Sequence, residues 1–138
     1  MSGPGDSLAR AAEALVGTPF RLHGRDPATG LDCVGLVEAS LARIGIAASA
    51  PQGYAMRNLS LAAFLPALVE AGFAECAAGV PVKPGDIVLV APSPGQFHVL
   101  VAGTACAFVH AHAGLGRVVT SPVTIADPKR GHWRLAPR

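Results

Sequence analysis

The sequence predicts a single α+β domain, with helices first and an antiparallel sheet after them. Two observations lead there. Up to about residue 72, apolar side chains recur at i, i+3, i+4 and i+7, the helical period. After Phe73 the pattern changes to short apolar runs separated by Pro/Gly turns, which read as strands joined by tight connections.

Each element has its own signal. Leu8, Ala11, Ala12, Leu15 and Val16 form the stripe of a first helix, with Asp6 or Ser7 as its cap and Gly17 as its stop. Thr18 to Gly24 is extended and leads into the loop Asp26-Pro27-Ala28-Thr29-Gly30. A second helix runs from Cys33 to about Ile44 and stops at Gly45. An irregular stretch follows and carries the chain's one tyrosine, Tyr54. A third helix covers about Leu59 to Ala71, with Pro66 either kinking it or opening a second short helix. About five strands are then expected: Ile87–Val90, His98–Ala102, Ala105–Ala111, Arg117–Thr120 and His132–Leu135.

Composition narrows the class. The chain has 138 residues, enough for one core without disulfide staples. A formal charge of +2 with no Lys/Arg cluster argues against nucleic acid as a partner. No apolar run nears the ~18 residues of a membrane span. The first residues lack the basic and apolar regions of a secretory leader, so synthesis in the cytoplasm is expected. Three cysteines, Cys33, Cys76 and Cys106, show no paired spacing, which argues against a disulfide framework and a cysteine-built zinc site. Cys76 and Cys106 read as structural, with a secondary position near the candidate site open for Cys106.

The stretch Gly30-Leu31-Asp32-Cys33-Val34-Gly35-Leu36-Val37 carries the candidate chemistry. Cys33 falls in the first turn of a helix, where free N–H groups and the positive dipole end favour a thiolate. The competing reading is a small buried hydrophobe. A cysteine nucleophile needs a general base, and the base needs an orienting group. Five histidines are available. His23 and His132 read as surface or packing residues. His98 opens an aliphatic strand straight after a turn and is the candidate base. Phe108, His110 and His112 point the same way from their strand. His110 lies inside the apolar run and needs a partner, so it is the candidate orienter, and His112 is left at the rim. His110 and His112 could also share a metal ion, but no established metal spacing accompanies them, and neither metal nor cofactor is expected.

These pieces, taken in order, resemble the NlpC/P60 family of cell-wall cysteine peptidases. Gly17-Thr18-Pro19-Phe20-Arg21 is similar to that family's G-T/V-P-Y-R opening, and Asp32-Cys33-Val34-Gly35-Leu36-Val37 to its D-C-x-G-L-V motif. Lys83-Pro84-Gly85-Asp86-Ile87-Val88 resembles its P-G-D strand, Phe97-His98-Val99 its histidine strand, and Phe108-Val109-His110-Ala111 its F-[IV]-H-A segment. Residues 110–122 and 133–137 resemble a short subfamily encoded among phage tail genes and in gene transfer agents. Three departures stand out: Phe20 for tyrosine, Leu22-His23-Gly24 for W-G-G, and Val34 for serine.

The resemblance implies a papain-like fold, a Cys33–His98–His110 triad, and cleavage of a peptidoglycan stem peptide at the γ-D-glutamyl–diaminopimelate bond. It also implies tail-tip or baseplate partners of a phage-like particle, through which the protein would reach the cell wall. Asp32 has two readings, a helix cap or a ligand for a substrate amine. Tyr54 is a candidate for the substrate groove. The rival readings are a structural tail-tip component with little or no activity, and an acyltransferase or amidase on the same fold.

Overall fold

A computed structural model describes residues 3–48, 61–93, 96–105, 107–122 and 129–136. Among them are three helices: α1 (Pro4–Glu13), α2 (Cys33–Arg43) and α3 (Leu61–Ala71). A two-stranded ribbon, β1 (Arg25–Asp26) and β2 (Gly30–Leu31), precedes α2. Six further strands form one antiparallel sheet: β3 (Phe73–Glu75), β4 (Ile87–Ser93), β5 (Gln96–Ala102), β6 (Ala107–His112), β7 (Arg117–Pro122) and β8 (Lys129–Leu135). Their order is β3-β8-β4-β5-β6-β7. The last strand is therefore inserted between β3 at the edge and β4, and the meander β4 to β7 extends to its other side.

The α+β reading holds, with local differences. The sheet has six strands rather than about five, because three-residue β3 adds to the outer side of β8. Helix α1 starts at Pro4, not after Asp6 or Ser7. A proline in the first turn has its φ already set for a helix and sacrifices no hydrogen bond there. Helix α3 runs through Pro66 as one segment. Strand β4 continues past Pro92 to Ser93 through a register shift, an interruption at which a strand tolerates proline.

The sheet has two buried sides. Ile87, Leu89, Val99, Val101, Val109, Ala111, Val118, Trp133 and Leu135 pack against Leu8, Ala12 and Leu15 of the α1 region, Val34, Leu36, Val37 and Leu41 of α2, and Leu68 and Ala71 of α3. On the other side, Val88, Val90, Leu100, Ala102 and Phe108 form a smaller cluster with Val82. This is the period-two alternation expected of strands buried on both faces.

Two glycines of the motifs have steric reasons. The first turn of α2 lies against the loop before β1, and a Cβ on Gly35 would overlap the backbone carbonyl of Gly24. Gly85 has φ +85° and faces the Gly5 backbone, so a side chain there would meet both strain and a collision. Gly35→Ala is expected to lower stability by about 2 kcal/mol, measured by urea unfolding, because neither backbone segment has room to move aside.

The Pro-Gly-Asp turn also carries a buried polar clamp. The Asp86 carboxylate accepts from the Lys83 N–H at 2.9 Å, from Arg134 Nε at 3.0 Å and Nη2 at 2.9 Å, and pairs with His132 Nε2 at 2.6 Å. Burial opposes its ionised form, but the bonds from Arg134, Lys83 and His132 outweigh that and hold its carboxyl below the usual range. The clamp joins the start of β4 to β8, two strands far apart in the chain.

Candidate active site

The site begins with the lead-in to α2. Residues 17–24 are tied to β7 and β2: the N–H groups of Gly17 and Phe20 donate to Val118 and Gly116, and that of Leu31 donates to Pro19. This lays the 17–24 segment over the start of α2. Asp32 is the N-cap, and its Oδ1 accepts from the Gly35 N–H at 2.8 Å. Oδ1 also meets Arg25 Nη1 at 3.0 Å, while Oδ2 accepts the His23 N–H at 2.9 Å. Arg25 in turn pairs with Glu38 on the next turn of α2 at 2.8 Å. These are the bonds of a helix cap.

His23 shows a consequence of that loop. Its φ is +61°, and it is the one non-glycine among the described residues with positive φ. It occupies a position where the resemblance expects glycine, the residue suited to that conformation. The bond from its N–H to buried Asp32 holds it there.

Cys33 is the first residue of α2 and is wholly buried. Backbone N–H groups of Val99, Val34 and Cys33 itself lower its pKa, as the helix-terminus argument expects. They do not win. Burial, and then the neighbouring Asp32 carboxylate, push the thiol up to about 12. The sequence expectation of a thiolate is thereby corrected: with water excluded and a carboxylate as the helix cap, the resting group is a neutral thiol. The sulfur meets β5 at the peptide joining residues 98 and 99. Among the described residues it makes no hydrogen bond to the His98 ring.

The two histidines expected to act together do meet. His98 Nε2 and His110 Nδ1 are 3.0 Å apart, and the rings stand edge-on at 86° with centroids 5.1 Å apart. They come from adjacent antiparallel strands, which pair Val101 with Val109 and Ala102 with Phe108. Burial, then the charges of His110 and His112, bring His98 down to about 4. Burial, then His112, also lowers His110. Both imidazoles are therefore neutral at pH 7. His110 Nε2 lies 2.7 Å from Ser121 Oγ on β7, a contact the sequence reading missed. No local pattern marks that serine, because the contact is diagonal across two strands: Phe108 faces Ser121 and His110 faces Val119.

The remaining candidates fall elsewhere. His112 stays at the rim, its ring 5.8 Å from that of His110, and its Nδ1 accepts the Leu115 N–H at 3.0 Å. His132 belongs to the Asp86 clamp. Cys76, Asp86 and His132 cluster closely enough to invite a metal reading. The four donors already on Asp86, two of them from a guanidinium, argue against a cation there. Tyr54 and Cys106 lie outside the described residues.

Fold and site together define a class: an α+β domain whose sheet carries a coupled histidine pair and meets a buried cysteine at a helix N-terminus. Residues 17–134 match the sequence pattern of the NlpC/P60 family, and the chain belongs to that family. No curated protein matches it. Solved structures with this fold include NlpC1 from Trichomonas vaginalis, with a TM-score of 0.70 and 17% identity over 97% of this chain and 46% of that one. Also similar are the NlpC/p60 domain of the peptidoglycan hydrolase SagA (TM-score 0.61, 21% identity, 91% of this chain and 95% of that one) and the peptidoglycan hydrolase RipB from Mycobacterium tuberculosis (TM-score 0.63, 22% identity, 97% and 65%). The chain spans just under half the length of the two Trichomonas proteins NlpC1 and NlpC2. None of the described helices is long and apolar enough to cross a membrane.

Proposed function

We propose that this protein is a cysteine peptidase that cuts an amide bond in the peptidoglycan stem peptide, between γ-D-glutamate and diaminopimelate. One observation carries the reading: the 3.0 Å contact between His98 and His110 on strands that also receive the N-terminus of the Cys33 helix. A buried imidazole pair of this kind suits a base held by an orienting partner.

In this mechanism Cys33 is the nucleophile, His98 the base and His110 its orienter. His98 Nδ1 has no hydrogen-bond partner among the described residues and is the nitrogen left to take the thiol proton. The thiol–imidazole contact closes when the substrate is seated, as catalytic hydrogen bonds often do. The sulfur then attacks the carbonyl, and N–H groups at the start of α2 stabilise the oxyanion. The proton on His98 passes to the departing amine, and water releases the acyl group from Cys33. Asp32 enters as the residue that shapes the first turn. Delivery by a phage-like tail is the proposed setting, supported by the resemblance of residues 110–122 and 133–137.

Purified protein incubated with sacculi tests the activity, with mass spectrometry of the muropeptides to identify the severed bond. A new N-terminal diaminopimelate is expected. Intact muropeptides would favour the structural tail-tip reading, and a different scissile bond would favour an amidase.

A pH profile tests the protonation states. With His98 at about 4 and Cys33 at about 12, the working form is the neutral pair. The base is lost when His98 gains a proton and its acceptor when His110 does; both are held below the ordinary 6.5, so kcat/KM should rise at pH values below 6.5 and stay level across neutrality. A rise centred near 6.5, the ordinary imidazole value, would mean that His98 is not desolvated in the working enzyme.

A further inference from the structure

We propose that Ser121 is a positioning residue of this site, whose hydroxyl oxygen fixes the tautomer of His110 and through it that of His98. The inference rests on the peptidase reading above and extends it by one group. Neutral imidazole carries one proton, so each ring can donate at one nitrogen and accept at the other. For His98 Nδ1 to receive a proton, the resting proton of that ring must lie on Nε2. That N–H points at His110 Nδ1, 3.0 Å away, which must then accept. The His110 proton is thereby placed on Nε2, and the atom facing it is Ser121 Oγ at 2.7 Å.

The same assignment is required after proton transfer. His98 is then doubly protonated and can only donate, so His110 must still accept at Nδ1 and donate at Nε2. Ser121 therefore acts as the acceptor in both states. The opposite arrangement, with the serine donating, would load His110 Nδ1 and His98 Nδ1 with protons and leave no base facing the thiol. His112 does not compete for the role, because its Nδ1 takes the Leu115 N–H. Register supplies the placement: Ser121 stands opposite Phe108, two residues from His110, so its side chain reaches the ring diagonally.

Imidazole ¹⁵N spectra of the full chain at pH 7 test this directly. Wild type should show His110 protonated at Nε2, and Ser121→Ala should shift that ring toward a mixture with the Nδ1 form. Ser121→Thr keeps the hydroxyl and should keep the wild-type signature. A wild-type His110 protonated at Nδ1, or an unchanged spectrum in Ser121→Ala, overturns the proposal. On muropeptides, Ser121→Ala should lose about fivefold in kcat, the scale of one hydrogen bond, with KM unchanged and Tm lower by only a few degrees, and Ser121→Thr should restore both. Equal kcat in Ser121→Ala also overturns it. A wild type that cuts no muropeptide would sink the peptidase reading, while the spectra would still decide the tautomer.

Discussion

Cys33→Ala is expected to reduce muropeptide cleavage by about 10⁴-fold or more while leaving the fold in place. The loss is large because, among the described residues, no other thiol stands at the site to take over the covalent step. The described residues hold one other cysteine, Cys76, and it lies by the Asp86 clamp. The fold should survive because alanine removes only a sulfur atom from the packed first turn of α2, a change worth about 1 kcal/mol. The cap, which makes the firmest bonds of that turn, belongs to Asp32 and is untouched. Paired measurements of cleavage rate and thermal unfolding check the expectation. Substantial residual cleavage by a well-folded Cys33→Ala protein would remove the thiol from the mechanism. Cys33→Ser should be nearly as inactive, because a hydroxyl is a much weaker nucleophile than a thiol.

Asp86→Asn is expected to have the largest effect on stability, about 3 kcal/mol at pH 7 by urea unfolding. The carboxylate is 1% exposed and neutralises Arg134 while accepting from Lys83 and pairing with His132. Asparagine keeps the shape but presents one acceptor oxygen and an NH₂ to an array of donors. Arg134 is one-third exposed, so water relieves part of the unpaired charge, which places the cost at the lower end for a broken buried pair. The pH dependence has a definite sign. The folded-state pKa lies below the unfolded value, so the stabilisation is complete above about pH 4 and is lost as pH falls through the folded pKa. Wild type and Asp86→Asn should therefore converge in stability toward acid. A constant gap between them down to the acid limit would mean that the carboxylate's charge contributes little.

Much of this molecule is legible in its sequence. The helix stops at Gly45 and Gly72 sit next to the observed ends of α2 and α3, and the strand runs after Phe73 all became strands. The placement of Cys33 at a helix start and of His98 and His110 on neighbouring strands was also accessible. Helical period, turn residues and capping act over a few positions, and a single chain displays them openly. The Cys33 thiol shows where that reading gave out. Its helix position argued for ionisation, but ionisation depends on how much water reaches the sulfur, and no local pattern records that.

Folding in three dimensions settled the rest. β8 slots between β3 and β4, and this brings His132 and Arg134 onto Asp86 across 46 and 48 positions of sequence. Gly35 needs to be bare because of a carbonyl eleven residues earlier in the chain, at Gly24. Ser121 reaches His110 only through the diagonal of an antiparallel pair. Elements and candidate chemistry come from interactions between near neighbours in the chain, which a sequence states directly. Strand order, close backbone approach and the protonation of buried groups come from partners brought together by the sheet, and these exist only once the chain has closed on itself.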